Sequence, residues 1–215
     1  MNEAANIISQ ILKELAKSSI VGVNLLELEN KAVSMIEILG AESINKGYAP
    51  SWSKSPYPSV VCLSVNEVLA HCPPYDYRLR NGDLLSIDLG IRYKGVCADA
   101  ALTVSIGKIS SRDERLLRYA KKALLKGIEV IQPGVKITRV GEAISRFVGL
   151  NGYVVNKHLN GHAIGQAMHE EPTIPMSDIG MEVKITEVNG RKQYTYSEYE
   201  NIPVFREGQI VCIEP

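Results

Sequence analysis

One half of this 215-residue chain echoes the other in order and in spacing, and few architectures accommodate such an echo. The first half runs Gly22-Val23, a helical stretch, an apolar stretch, His71-Cys-Pro-Pro, then Gly82-Asp-Leu-Leu-Ser-Ile-Asp88. The second runs Gly134-Val135, a helical stretch, an apolar stretch, His169-Glu-Glu-Pro, then Gly208-Gln-Ile-Val-Cys-Ile-Glu214. Turn glycine and acid are equally far apart in both halves. Each half thus offers a histidine followed by proline and a carboxylate on an apolar strand. The repeat predicts a pseudo-twofold fold that brings Asp88 and Glu214 together. Its halves cover about 20–110 and 111–215 of a single domain spanning residues 1–215. Asp88 has Asp99 after it on a partner strand, while Glu214 has only Pro215. A closing strand carrying an acid is therefore expected to be missing.

The local signals predict an α+β chain, with antiparallel sheet covered by helices. Ile7, Ile8, Ile11, Leu12 and Leu15 mark a helix over 4–17. Asn24-x-x-Glu27 is a capping box for a second helix, which Gly40 closes. Residues 47–58, with three prolines, read as a loop. The β-branched runs 60–68, 83–92 and 95–106 read as strands, the last two forming a hairpin across Tyr93-Lys94-Gly95. Ser111-x-x-Glu114 predicts a third helix with Leu116, Leu117, Ala120, Leu124 and Ile128 on its core face. A fourth helix is expected over 138–148. The polar segment 177–201 reads as a solvated insert rather than a surface hairpin.

Composition excludes rather than assigns. Lys plus Arg and Asp plus Glu each number 24, so the chain lacks the basic footprint of a nucleic-acid binder. Its longest apolar runs fall short of a membrane span. The N-terminus carries Glu3 and no apolar signal core. Four cysteines without a C-x-x-C pair favour a reduced, cytoplasmic setting.

Chemistry gathers on a few residues. Asp88 and Glu214 lie in apolar runs, where an ionised carboxylate must be paired, protonated or bound to a cation. Asp99 stands at a similar distance across the expected hairpin, and two facing acids repel unless a metal neutralises them. With a histidine added, such oxygen-rich donors suit Mn, Fe, Co or Zn. His71, His162 and His169 sit in segments flanked by Gly or Pro, whereas His158 reads as a solvated loop residue. A nucleophilic Cys72 beside His71 is disfavoured, because neighbours in an extended segment point to opposite faces.

The motifs C-x-S-V-N-E-V-x-x-H (62–71), I-D-L-G (87–90), A-D-A-A (98–101), N-G-H-A-I-G (160–165), M-H-E-E-P (168–172) and I-E-P (213–215) resemble the signature set of type I methionine aminopeptidases. The resemblance implies the pita-bread fold, two divalent metal ions, and removal of the initiator methionine from nascent polypeptides. It implies that Asp88 chelates one metal, Asp99 bridges both, and His162 and Glu214 ligate the other. Water activated at the metals would attack the first peptide carbonyl. His169 would stabilise the developing charge, and His71 would position the amide or leaving group. Tyr57, Trp52 and Met168 are the candidates for the methionine pocket. A second bridging glutamate is implied downstream of I-E-P. Cys72-Pro73 and Ala163 depart from the family's usual Gly-Ile and Gly. The expected partners are the N-terminal methionine of nascent chains and the ribosome, the expected state a monomer. Two alternatives accompany this reading: a peptidase of the same fold that cleaves Xaa-Pro bonds, and a non-catalytic peptide- or ribosome-binding module.

Overall fold

Ile8, Ile11, Leu12 and Leu15 recur every three or four residues, and that spacing makes them the buried face of α1 (Asn2–Ser18). A computed structural model describes residues 1–51, 53–180, 182–188, 191–197 and 201–215, the stretches 182–188 and 191–197 by backbone alone. The described residues fall into two compact units. The first is Met1–Leu117 with Ile164–Glu170; the second is Arg118–Ala163 with Glu171–Pro215.

In the first unit, α2 (Leu25–Ile38) begins as its sequence predicts. The Asn24 side chain accepts from the Leu26 amide at 2.9 Å, and the Glu27 carboxylate accepts from the Asn24 amide at 3.4 Å. Four strands follow: β1 (Glu42–Ser43), β2 (Cys62–Val65), β3 (Leu84–Tyr93) and β4 (Val96–Ser105). β3 is the centre. β4 pairs along one edge of it, from Leu84↔Ser105 to Tyr93↔Val96, while β2 and β1 share the other edge. Lys94 and Gly95 both have positive φ, the conformation of a tight two-residue hairpin. Leu85, Ile87, Leu89 and Ile91 are fully buried in one core with the apolar faces of α1 and α2. Ser86 and Asp88, which alternate with them, are only half-buried. The run around Asp88 is therefore one-sided rather than buried on both faces, and the acid belongs to the polar side.

In the second unit, α3 (Ser111–Glu129, in this unit from Arg118) and α4 (Thr138–Leu150) bury Ala123, Val140, Ile144 and Val148 with Ile174, Met176 and Phe205. The expected α3 face is corrected. Ala123 and Gly127 are its buried residues, while Leu116 and Ile128 are exposed. A Cβ on Gly127 would come within 2.8 Å of Ile144 Cδ1, so α3 contacts its neighbour through its small residues. The cap also sits one residue earlier. Ser110 Oγ accepts from the Asp113 amide and donates to its carboxylate. β5 (Asn160–Ala163), β6 (Glu170–Pro175) and β9 (Val211–Cys212) form a sheet in the order β6-β5-β9. The insert is corrected too: β7 (Glu182–Val188) and β8 (Arg191–Ser197) pair antiparallel from Glu182↔Ser197 to Val188↔Arg191, a hairpin rather than a loop.

The repeat read from the sequence recurs bond for bond. In the first unit the Gly22 amide donates to the Leu79 carbonyl, the Leu79 amide to Val23, and the Leu25 amide to Tyr77. In the second, Gly134 donates to Phe205, Phe205 to Val135, and Ile137 to Pro203. An isolated bridge joins Asn24 to Arg78 in one and Lys136 to Val204 in the other. The turn glycines match as well, with φ +99° at Gly82 and +77° at Gly208, values that a side chain would strain.

Candidate active site

Register decides which side chains share a face. On β3 and β4, Asp88 pairs with Ala101 and Gly90 with Asp99, so the two aspartates lie on one face but diagonally. The expectation that they face each other directly is corrected: the turn centre lies between Lys94 and Gly95, one half-step beyond Lys94. Diagonal neighbours still reach one another across roughly 7–8 Å between backbones. Cys62 on β2 stands directly opposite Asp88. Burial, and then the Asp88 charge, pushes the Cys62 thiol up to about 12, so it is a neutral group beside the acid. Asn45 steadies this corner. Its side-chain oxygen accepts from the Gly90 amide at 2.7 Å, and its nitrogen approaches the Cys62 sulfur at 3.7 Å.

The segment 164–170 belongs to the same unit. The Cys97 amide donates to the Gly165 carbonyl at 2.7 Å, and the Cys97 sulfur lies 3.2 Å from the Gln166 carbonyl. Held there, Met168 is half-buried and His169 exposed. His169 Nδ1 lies 2.7 Å from the Tyr48 hydroxyl, with the two rings tilted at 5.3 Å between centroids. Tyr57 is half-buried, its hydroxyl donating to the Val61 carbonyl at 3.2 Å. Burial, with help from Cys62, drives its ionisation well above the ordinary tyrosine value. His71 is exposed with φ +56°, a left-handed conformation uncommon outside glycine. Trp52 lies outside the described residues.

In the second unit, His162 is buried while the Glu214 side chain is 46% exposed. Glu214 follows the short strand β9 rather than lying inside a buried run, a correction to its sequence reading. His162 Nε2 and Glu214 Oε1 are 3.2 Å apart. His162 Nδ1 is 2.9 Å from the Ala163 carbonyl, which can only accept, so Nδ1 carries a proton and Nε2 is the nitrogen turned to Glu214. That is how an imidazole is prepared for a cation. Gly161 makes the approach possible: a Cβ there would lie 2.2 Å from the Cys212 carbonyl oxygen. Cys212 joins His162 and Glu214 in a cluster whose donor atoms all lie within 4.8 Å of one another. His158 is an exposed loop residue, as expected.

The residues present suit divalent metal. Asp88 and Asp99 offer oxygen donors on one sheet face, and His162 and Glu214 offer a prepared nitrogen beside an oxygen. Sequence reasoning missed Asn45, Tyr48 and Cys212. Asn45 lies just before the proline-rich loop and Tyr48 inside it, neither within any motif. Cys212 had a usable signal in the sequence, since it stands two residues before Glu214 in a strand-like apolar run, the spacing of side chains on one face.

Comparison with known proteins agrees. The model of metallopeptidase family M24 matches residues 1–215. A methionine aminopeptidase of Helicobacter pylori is 33% identical over 215 residues, covering all of this chain and 77% of the relative. The crystal structure of a methionine aminopeptidase from Thermotoga maritima superposes with a TM-score of 0.83 at 27% identity, over 99% of this chain and 76% of the other. A prolidase from Pyrococcus horikoshii shares the fold alone, with a TM-score of 0.74 at 19% identity, over 99% of this chain and 52% of its own. The architecture is the pita-bread α+β fold.

Proposed function

The chain belongs to metallopeptidase family M24, and from that membership we propose that it is a metal-dependent aminopeptidase removing N-terminal methionine from polypeptides. The observation that carries this reading is His162, with one ring nitrogen engaged by the Ala163 carbonyl and the other turned to Glu214. Asp88, Asp99, His162 and Glu214 are the proposed ligands of two divalent ions, drawn from Mn, Fe, Co and Zn. When bound, such ions lower the pKa of water and polarise the scissile carbonyl.

The chain's own residues do the rest. In the tautomer in which the Tyr48 hydroxyl donates to Nδ1, His169 carries its proton on Nε2 and donates it to the charge developing on the carbonyl oxygen. His71, on its strained backbone, positions the amide or the leaving group. Tyr57, Trp52 and Met168 receive the methionine side chain, whose sulfur packs well on aromatic rings and on thioether. The substrates are nascent chains met near the ribosome in the cytoplasm, and the enzyme works as a monomer. Among the described residues no helix is long and apolar enough to cross a membrane.

Hydrolysis of Met-Ala-type peptides with and without added metal tests the reading. Release of methionine that a chelator abolishes and metal restores is the expected result. Cleavage only before proline would establish the related peptidase instead, and peptide binding without metal or hydrolysis a non-catalytic module.

A further inference from the structure

Cys212 stands opposite His162 in the β5–β9 pair, so these two side chains share one face, and Glu214 follows two residues on, just past the strand. Their donor atoms lie within 4.8 Å of one another, with His162 and Glu214 already at 3.2 Å. Two donors on one tetrahedral zinc stand roughly 3.3–3.8 Å apart, given bond lengths of about 2.0–2.3 Å. At its widest the cluster must close by about an ångström. The repeat shows that the fold does not ask for a thiol here. The equivalent position in the first unit is Ser86, whose hydroxyl lies 2.8 Å from that of Thr103.

We propose that the Cys212 thiolate is a metal ligand beside His162 and Glu214, and that it biases this ion site toward thiophilic cations such as Zn, Co and Fe(II) over Mn. The inference rests on the metallopeptidase reading for the presence of an ion and adds a soft donor to its ligands. A sulfur ligand favours soft and borderline cations, whereas carboxylate oxygen alone serves Mn comparably well. On binding, the thiol loses its proton to solvent and the sulfur lone pair enters the metal bond, with no change of oxidation state. The other thiols lie elsewhere: Cys62 opposite Asp88, Cys97 against the Gln166 carbonyl, and Cys72 near the Pro73 carbonyl at 3.6 Å.

The test is cobalt substitution of the metal-stripped full chain, read by absorption. Wild type and Cys62→Ala should show a sulfur-to-cobalt charge-transfer band in the near ultraviolet, and Cys212→Ser should lose it while keeping the visible d–d bands. Zinc affinity of Cys212→Ser should fall about tenfold or more, a loss seen even for residues one step removed from a metal. Its manganese affinity should hardly change. A charge-transfer band that survives in Cys212→Ser, or visible bands without any charge-transfer band in wild type, overturns the proposal alone. Absence of both bands in wild type overturns it together with the metal reading beneath it.

Discussion

The two units share a backbone device and differ in what they hang on it. Each closes a long loop with the same three amide bonds and the same isolated bridge. Each then turns at a positive-φ glycine and runs into an acid. At equivalent strand positions, though, the first unit carries Ser64 and Ser86 where the second carries His162 and Cys212. The register that pairs one set pairs the other. Backbone geometry is thus the duplicated part, and side chains at matched positions carry the difference in chemistry. The strands also differ in support. β3 has three strand neighbours, whereas β9 pairs with β5 alone among the described residues.

Asp83 and Gln209 sharpen the contrast. The Arg80 amide donates to the Asp83 carboxylate at 2.8 Å, and the Arg206 amide to the Gln209 side-chain oxygen at 3.1 Å. Asp83 takes two more donors, Asn66 at 3.0 Å and the Tyr77 hydroxyl at 2.9 Å. Burial acts to raise its carboxyl, but these hydrogen bonds, with the Arg80 charge, outweigh it and leave the value lowered.

The largest effect is expected at the acids. Asp99→Asn should lower metal-dependent kcat/KM by about a thousandfold or more, because several kcal/mol of charge stabilisation goes with the metal. Next, Gly161→Ala should cost about 2–3 kcal/mol in urea unfolding, since the added methyl meets the Cys212 carbonyl and overpacked sites behave so. In the turns, Asp83→Ala should cost about 2–3 kcal/mol and Gln209→Ala about 1 kcal/mol, the usual sizes for charged and neutral hydrogen bonds. Equal losses would break the claimed asymmetry. pH separates them again. A carboxyl lowered in the folded state contributes its stability above the ordinary carboxylate value and loses it as pH falls through the lowered one. The urea midpoint of wild type should therefore drop on acidification more steeply than that of Asp83→Asn, while Gln209→Ala should keep the wild-type slope. Smallest of all, His158→Ala should change stability by less than about 0.5 kcal/mol and leave kcat/KM unaltered.

Much of this was legible in the residues. Asn24 and Glu27 marked the α2 cap, the β-branched run 83–92 marked the central strand, and the glycine-to-acid spacing announced the repeat. The misses have physical causes. On α3 the helix contact is made by Gly127 and Ala123, because close approach to Ile144 leaves no room for leucine. Size and hydrophobicity pointed to Leu116 and Ile128, which the packing leaves outside. The diagonal offset of Asp88 and Asp99 turned on whether the turn centred on Lys94 or between Lys94 and Gly95, half a residue that only backbone conformation resolves. The insert's strands do alternate, Val183 and Ile185 in one and Tyr194 and Tyr196 in the other, but the charges between them gave the segment the polar look of a solvated loop.

The paired clasps at Gly22–Leu79 and Gly134–Phe205 leave the second loop longer, and it is the one that contains the β7–β8 hairpin. Chain-closure entropy grows only with the logarithm of loop length, so the extra residues raise the cost by about 0.2 kcal/mol. An appendage at that point is nearly weightless to the scaffold. The hairpin can lengthen, shorten or change its sequence while the clasp behind it still aligns the strand that leads to Glu214.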